Sequence, residues 1–405
     1  MFWASGPGGV MDIEPRGSID IKHKQLVKYG QRVFGDTFQY HHIREEDRLI
    51  VILSDGLGSG IKANVLSTLT ATMAMNFTAG LRDVNRCAQI IMKTLPVCSV
   101  RKISYATFTI VEIDREHNVR VINYDNPLPI LVRQNNCVNL PVEYSEGIHG
   151  KRKYRLEFMH FSLEQDDRII LLSDGVTQAG MGSKRYPLGW GNQGVILFTE
   201  KLITTQGLPG ARELAEIIIS RANEIDHYQM HDDGTCGVIH LRTSHELLMV
   251  SGPPLDTSRD AELAATLANF NGKKIVCGGT TAKIIARELG RELTFVNERF
   301  TSSQPPLSAI QGIDLVTEGI ITLHHVQVML ARGISPDQDE KSPASRIVEM
   351  MLDSDIIHFM VGTRINEAWQ DPSLPDEIGL RRTIIAAIRR LLETNYEKET
   401  KLHFW

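Results

Sequence analysis

Four stretches in the first 243 residues end or begin an apolar run on an aspartate that adjoins glycine or a second aspartate. "IVILSDGLGSGIKAN" carries Asp55, "RIILLSDGVTQAG" carries Asp174, "VFGDTFQY" carries Asp36, and "HDDGTCGVIHL" carries Asp232 and Asp233. Any one Asp-Gly is the ordinary signal of a tight turn. Their recurrence at strand ends points elsewhere: carboxylates from several strands can converge on one edge of a layered sheet. Converging carboxylates repel one another unless cations neutralise them. Oxygen-only ligands select Mg²⁺ or Mn²⁺, with waters completing the shell. Two such ions about 4 Å apart, bridged by one carboxylate, activate water for in-line attack on phosphorus. The glycine after each aspartate is expected to let the backbone come close to a metal-bound water.

Nucleotide loops explain Asp55 less well. Gly56, Gly58 and Gly60 are spaced G-x-G-x-G, whereas a dinucleotide loop needs G-x-G-x-x-G, and Lys62 follows Ile61 rather than a glycine. Five cysteines form an odd set with no C-x-x-C pair, which excludes a zinc knuckle and a disulfide framework. The adjacent pairs His41-His42 and His324-His325 make no ready chelate, because neighbours do not share a helix face. His231 is placed to orient Asp232.

Elements must carry these residues to one place. "DRLIVILSD" reads as a central strand, followed after Gly60 by a helix with Val65, Leu66, Leu69, Met73 and Phe77 on its core face and Gly80 at its end. A second helix and a series of short strands follow, with few helices between them, the pattern of a largely antiparallel α+β layer structure. "SHELLMVSGPPLD" (244–256) contains Gly-Pro-Pro, which neither a helix nor a central strand accepts, so a linker is expected there. Beyond it, strands alternate with helices, as in a smaller α/β domain with a mostly parallel sheet. The expected division is an N-terminal arm (1–17), a catalytic domain (18–243), the linker and a C-terminal α/β domain (257–405). A net charge of −5 without basic blocks excludes a nucleic-acid footprint, and no apolar run reaches the roughly 20 residues of a membrane span, so a cytoplasmic protein is expected.

The ordered motifs Gly35-Asp36, Ser54-Asp55-Gly56-x-Gly-x-Gly, Ser173-Asp174-Gly175 and Asp232-Asp233-Gly234-Thr235 resemble the metal-dependent PPM serine/threonine phosphatases, in their bacterial stage II sporulation protein E branch. The resemblance spans residues 18–243 and implies an α-β-β-α sandwich with two Mn²⁺ or Mg²⁺ ions at one edge of its sheets. It implies that Asp55 bridges both metals, that the Gly56 carbonyl holds a metal or its water, and that Asp36 serves one ion. Asp174 and Asp232 would complete the other, with Asp233 the weaker member because the family often has Asn second. Asp55 and Asp174 would then act through a metal-bound water. Thr107 stands where the family has a strand threonine. The sequence departs at Leu57, where eukaryotic members have a histidine thought to act as general acid, and only Arg16 precedes the first strand as a phosphate-gripping arginine might.

The second domain resembles an extension found on phosphatases of this branch in anaerobic bacteria. Gly278, Gly279, Thr280 and Thr281 offer N–H groups and hydroxyls at a helix start, and Thr317, Glu318, Thr363 and Arg364 follow apolar runs, where an open parallel sheet borders its ligand crevice. Two readings stand: ordinary helix capping by Thr and Gly, and a site for a small anionic ligand. The resulting function is hydrolysis of phosphoserine or phosphothreonine in a regulatory phosphoprotein, such as an anti-sigma-factor antagonist, under control of the second domain, with a homodimer as one arrangement the sequence allows. The alternative is a non-catalytic signalling platform with a degenerate phosphatase domain, which the complete acidic set disfavours.

Overall fold

The computed structural model describes residues 17–80, 84–94, 106–149, 152–296, 307–333, 342–364 and 377–405. They divide into two compact units that meet in sequence between Thr243 and Ser244. The expected arm and Arg16 lie outside the described residues.

The first unit runs β1 (Gly17–Leu26), β2 (Asp36–Ile43), β3 (Arg48–Gly56), α1 (Ile61–Gly80), α2 (Val84–Thr94), β4 (Ala106–Ile113), β5 (Asn118–Tyr124), β6 (Ile130–Arg133), β7 (Asn136–Val138), β8 (Glu143–His149), β9 (Arg152–Ser162), β10 (Arg168–Leu172), a helical turn α3 (Asp174–Thr177), α4 (Gly191–Gln206), α5 (Ala211–Ile225) and β11 (Gly234–Thr243). Two antiparallel sheets form, ordered β1-β11-β10-β6-β7 and β2-β3-β4-β5-β9-β8. Leu49, Val51 and Leu53 of β3 pack with Val111, Ile169, Leu171 and Ile239 between the sheets, whereas Ile50 and Ile52 pack with Ala71, Ala74 and Ile91 under α1 and α2. A third cluster seats Val195, Leu214 and Ile218 of α4 and α5 on the outer face of the other sheet. These clusters fill an α-β-β-α sandwich, as the motifs implied. Because helices cover the outer faces, β3 reads as an unbroken apolar run although its sheet is antiparallel.

The core face expected of α1 is only partly the one it uses: Met73 and Phe77 pack against the core, but the N-terminal half turns other residues inward. Ala63, Ser67, Thr70, Ala71, Ala74 and Thr78 are buried, whereas Ile61, Val65 and Leu69 are 73%, 58% and 47% exposed. A β-carbon on Gly56 would lie 2.0 Å from the Ala63 carbonyl oxygen, so helix and strand approach too closely for large side chains between them. Small residues therefore line the contact.

The second unit runs β12 (Glu246–Ser251), a 3₁₀ turn (Thr257–Arg259), α6 (Asp260–Asn269), β13 (Lys273–Cys277), α7 (Gly279–Leu289), β14 (Leu293–Val296), β15 (Leu307–Ile310), β16 (Leu315–Thr317), α8 (Ile320–Arg332), α9 (Pro343–Leu352), β17 (Ile356–Val361), α10 (Glu377–Asn395) and β18 (Glu399–Phe404). Its sheet is ordered β14-β15-β16-β13-β12-β17-β18, parallel from β16 to β18, with β14 and β15 an antiparallel edge. One core packs α6 and α7 on one face, and another packs α8, α9 and α10 on the other. The expected linker is corrected here: its residues 246–251 form the central strand. Gly252-Pro253-Pro254 begins only after the last paired residue, Ser251, so the break belongs to the strand's exit loop.

Candidate metal centre

The acidic motifs meet at one edge of the sandwich. Asp36 and Asp55 face each other in register across β2 and β3, with Thr107 of β4 beside Asp55. Asp174 follows β10 directly, and Asp232 and Asp233 precede β11 in the other sheet. The Thr235 hydroxyl donates to Asp36 Oδ2 at 2.6 Å, joining the two sheets across the site.

Serine in each Ser-Asp-Gly ties its strand to a neighbour. The Ser54 hydroxyl donates to the Thr107 carbonyl at 2.8 Å, and Ser173 Oγ accepts from the Thr235 N–H at 2.8 Å. The glycines also allow close packing. At Gly175 a β-carbon would lie 2.2 Å from the Asp233 carbonyl oxygen, and at Gly56 it would lie 2.0 Å from the Ala63 carbonyl oxygen. The missing side chains let neighbouring segments touch at the site. Gly58 and Gly60, at φ +104° and +69°, turn the chain from β3 into α1, whose first bond runs from the Asn64 N–H to the Gly60 carbonyl.

The electrostatics are those of crowded like charges. Asp36 is buried and its carboxyl is pushed up to about 7, mainly by desolvation and further by Asp233 and Asp174, against hydrogen bonds from Thr235 and Ser173. Asp55 is held well above the usual carboxylate range by desolvation, then by Asp36 and Asp174. Asp232 and Asp233 are raised by desolvation, with Lys28 opposing. Asp36 Oδ1, Asp174 Oδ1 and Asp233 Oδ2 are buried with no hydrogen-bond partner among the described residues. Carboxylate oxygens orphaned side by side suit a hard divalent cation. Among the described residues no group of three acidic, histidine or cysteine side chains stands ready-made to hold a metal ion.

Several neighbours escaped the sequence reading. Lys28, after β1, donates its N–H to Asp233 Oδ1 at 3.1 Å and holds its ammonium 3.8 Å from Asp232 Oδ1. Gln178 donates to Asp174 Oδ2 at 2.7 Å. Asn126 accepts from the Thr107 hydroxyl and donates to the Leu53 carbonyl, fixing the strand ends beside Asp55. No local motif marks Lys28 or Asn126; their places are set by the docking of loops onto the sheet edge. His231 pairs with Asp226 at 3.1 Å and not with Asp232, correcting its expected role.

In the second unit, Gly278 to Thr281 open α7, and Thr317 and Glu318 end the adjacent β16, whose Thr317 carbonyl accepts from the Gly278 N–H at 2.9 Å. Thr363 and Arg364 are held in structural ties: the Thr363 hydroxyl donates to the Trp405 carbonyl, and Arg364 pairs with Asp260 at 2.6 Å. Buried Cys277 is pushed up to about 12 by desolvation, which makes it an unreactive thiol.

Residues 45–242 match the family model described as Stage II sporulation protein E (SpoIIE). Among solved structures, the chain is similar to the phosphatase domain of the cell fate determinant SpoIIE from Bacillus subtilis (17% identity, 57% of this chain and 95% of that one, TM-score 0.43). It is similar also to RsbX in complex with magnesium (19%, 56% and 98%, TM-score 0.39) and to the S. agalactiae serine/threonine phosphatase (14%, 55% and 99%, TM-score 0.41). The comparison with curated proteins gave no match. Among the described residues no helix is long and apolar enough to cross a membrane.

Proposed function

From the match of residues 45–242 to the SpoIIE family model, we propose that this chain is a metal-dependent serine/threonine protein phosphatase that dephosphorylates a phosphoserine or phosphothreonine in a regulatory partner protein. The observation that carries the reading is the meeting of Asp36 and Asp55 from one sheet with Asp174 and Asp232-Asp233 from the other, with carboxylate oxygens left unpartnered among them.

Asp36, Asp55, Asp174 and Asp232, with Asp233 and the Gly56 carbonyl at the rim, would hold two Mg²⁺ or Mn²⁺ ions. Bound there, the ions supply positive charge for the phosphoryl oxygens and activation of water at neutral pH. The chain's own residues keep that arrangement in place. Ser54, Ser173 and Thr235 fix the strand ends, and Gln178 holds one oxygen of Asp174. The Lys28 ammonium beside Asp232 is placed to orient an incoming phosphate. Leu57 offers no proton, so the leaving serine takes its proton from water. A small anti-sigma-factor antagonist is the partner class the motif resemblance implies, and the second unit would regulate the reaction.

Release of phosphate from an aryl phosphate should depend on added Mn²⁺ or Mg²⁺ and fall to background in Asp55→Asn. Equal rates for the two proteins, or rates indifferent to metal, refute the proposal.

A further inference from the structure

The parallel part of the second sheet has strand order β16-β13-β12-β17-β18, with α6 and α7 on one face and α8 to α10 on the other. In doubly wound sheets of this order, ligands bind beyond the carboxyl ends of the strands, near the point where the winding reverses. β12, the first strand, lies at that point, and its last residue is Ser251.

Ser251 is 1% exposed, and among the described residues its hydroxyl has no hydrogen-bond partner. Leu247 and Met249 of the same strand join the core under α8 to α10, so alternation turns Ser251 toward that face too. It stands in register with Cys277 of β13, which stands in register with Thr317 of β16. Three polar side chains thus form a row across the strand ends. Leaving such a hydroxyl buried and unpaired is unfavourable, a penalty that a bound hydrogen-bond partner would remove.

Positive character gathers over this row. Arg381 of α10 packs against Gly252: a β-carbon there would lie 2.4 Å from its Nη1, and its charge also acts on Cys277. On the same face, α8 begins at Gly319 with no side-chain cap and no acidic residue in its first turn. Its first N–H groups therefore have no side-chain acceptor of their own, and they carry the positive end of the helix dipole. Thr322, in that first turn, is 2% exposed with a second unpartnered hydroxyl. Gly319 lies close to Gly278, the start of α7, so two helix N-termini adjoin. Glu318, between them, has a carboxylate oxygen 3.8 Å from where a β-carbon on Gly279 would lie. A guanidinium, buried hydroxyls and free helix N–H groups are the donors from which anion receptors are built.

We propose that the second unit binds the phosphate group of a small metabolite at the carboxyl ends of β12, β13 and β16, held by Arg381, the Ser251 hydroxyl and the first turn of α8. This places the anion on the α8–α10 face. Thr363 and Arg364, engaged with Trp405 and Asp260, stay outside the site.

Full-length protein in EDTA, carrying Asp55→Asn so that the first unit's metal centre takes no phosphate, is titrated with inorganic phosphate, AMP and phosphoenolpyruvate at matched ionic strength. Thermal unfolding and calorimetry should show saturable binding of at least one probe. Response to inorganic phosphate alone would identify the free ion as the ligand, and a tighter response to an ester would identify a metabolite. Arg381→Gln should weaken binding at least tenfold and Ser251→Ala several-fold. Ser251→Ala removes only an unpartnered oxygen, so it decides the matter even if Arg381→Gln does not fold. No binding by any probe, or affinity unchanged in Ser251→Ala, overturns the proposal. Because metal-dependent hydrolysis is absent from the assay, its outcome is independent of the phosphatase reading.

Discussion

Asp55 and Lys28 show two kinds of residue at the same site, one written into a motif and one not. Asp55 stands out because its apolar-run–Ser-Asp-Gly context recurs at Asp174, and the structure gives both serines the same task of tying a strand to its neighbour. Asp36 and Asp232 were readable for a similar reason, as acids at strand boundaries. Lys28 carries no such context; its position follows from the loop after β1, where the Tyr29 N–H donates to the Met230 carbonyl. Lys28→Ala should raise KM for an aryl phosphate several-fold while kcat changes little, and Lys28→Arg should restore most of it. Steady-state kinetics at saturating Mn²⁺ reads the difference, and an unchanged KM removes Lys28 from phosphate binding. The glycines were legible as a pattern, but their close packing was not, because the atoms they make room for, Ala63 and Asp233, lie on other segments.

At the level of the element, α1 is where apolar spacing misleads. Periodicity selects the largest apolar residues as the core face. The contact with β3 instead admits only Ala, Ser and Thr, so Val65 and Leu69 are left outside. Leu69→Ser should therefore change stability by no more than about 0.5 kcal/mol, as at an ordinary surface position. Ala74→Leu, forced under the helix, should cost about 1–3 kcal/mol. Urea midpoints at constant m-value separate the two, and the reverse order would contradict the packing described for α1. β12 misleads in the opposite sense: a short strand followed at once by Gly-Pro-Pro looks like a linker until β13 and β17 are seen to pair on either side. Alternation of strands and helices, by contrast, was enough to foresee the parallel sheet of the second unit.

For the molecule as a whole, the two units should differ in their response to acid. His358, buried in the second unit, has its Nε2 3.0 Å from Glu246 Oε2, with the His403 ring stacked against it and Phe270 meeting it edge-on. Desolvation, aided by the charge of Lys401 and by His403, pushes its pKa down to about 4 despite the Glu246 carboxylate. His403 shifts the same way. A histidine whose folded pKa lies below its unfolded value contributes stability that is present above the unfolded pKa. That stability is lost as pH falls from about 6.5 toward 4, because the unfolded chain binds the proton first. The loss from His358 alone should reach about 3 kcal/mol by pH 4. Denaturant titrations from pH 7 to 4 should show His358→Phe flattening the acid limb of the second unit; an unaltered limb would show that His358 does not titrate in this window.

The hydrogen bond from Thr235 to Asp36 spans 199 residues of chain. Contacts so remote in sequence close late, after local helices and hairpins have formed. The cluster of acidic side chains is thus assembled from the two ends of its domain and exists only once both sheets have docked. During refolding, helical signal should return before metal binding does, and catalytic competence would serve as a clock for the last step of folding.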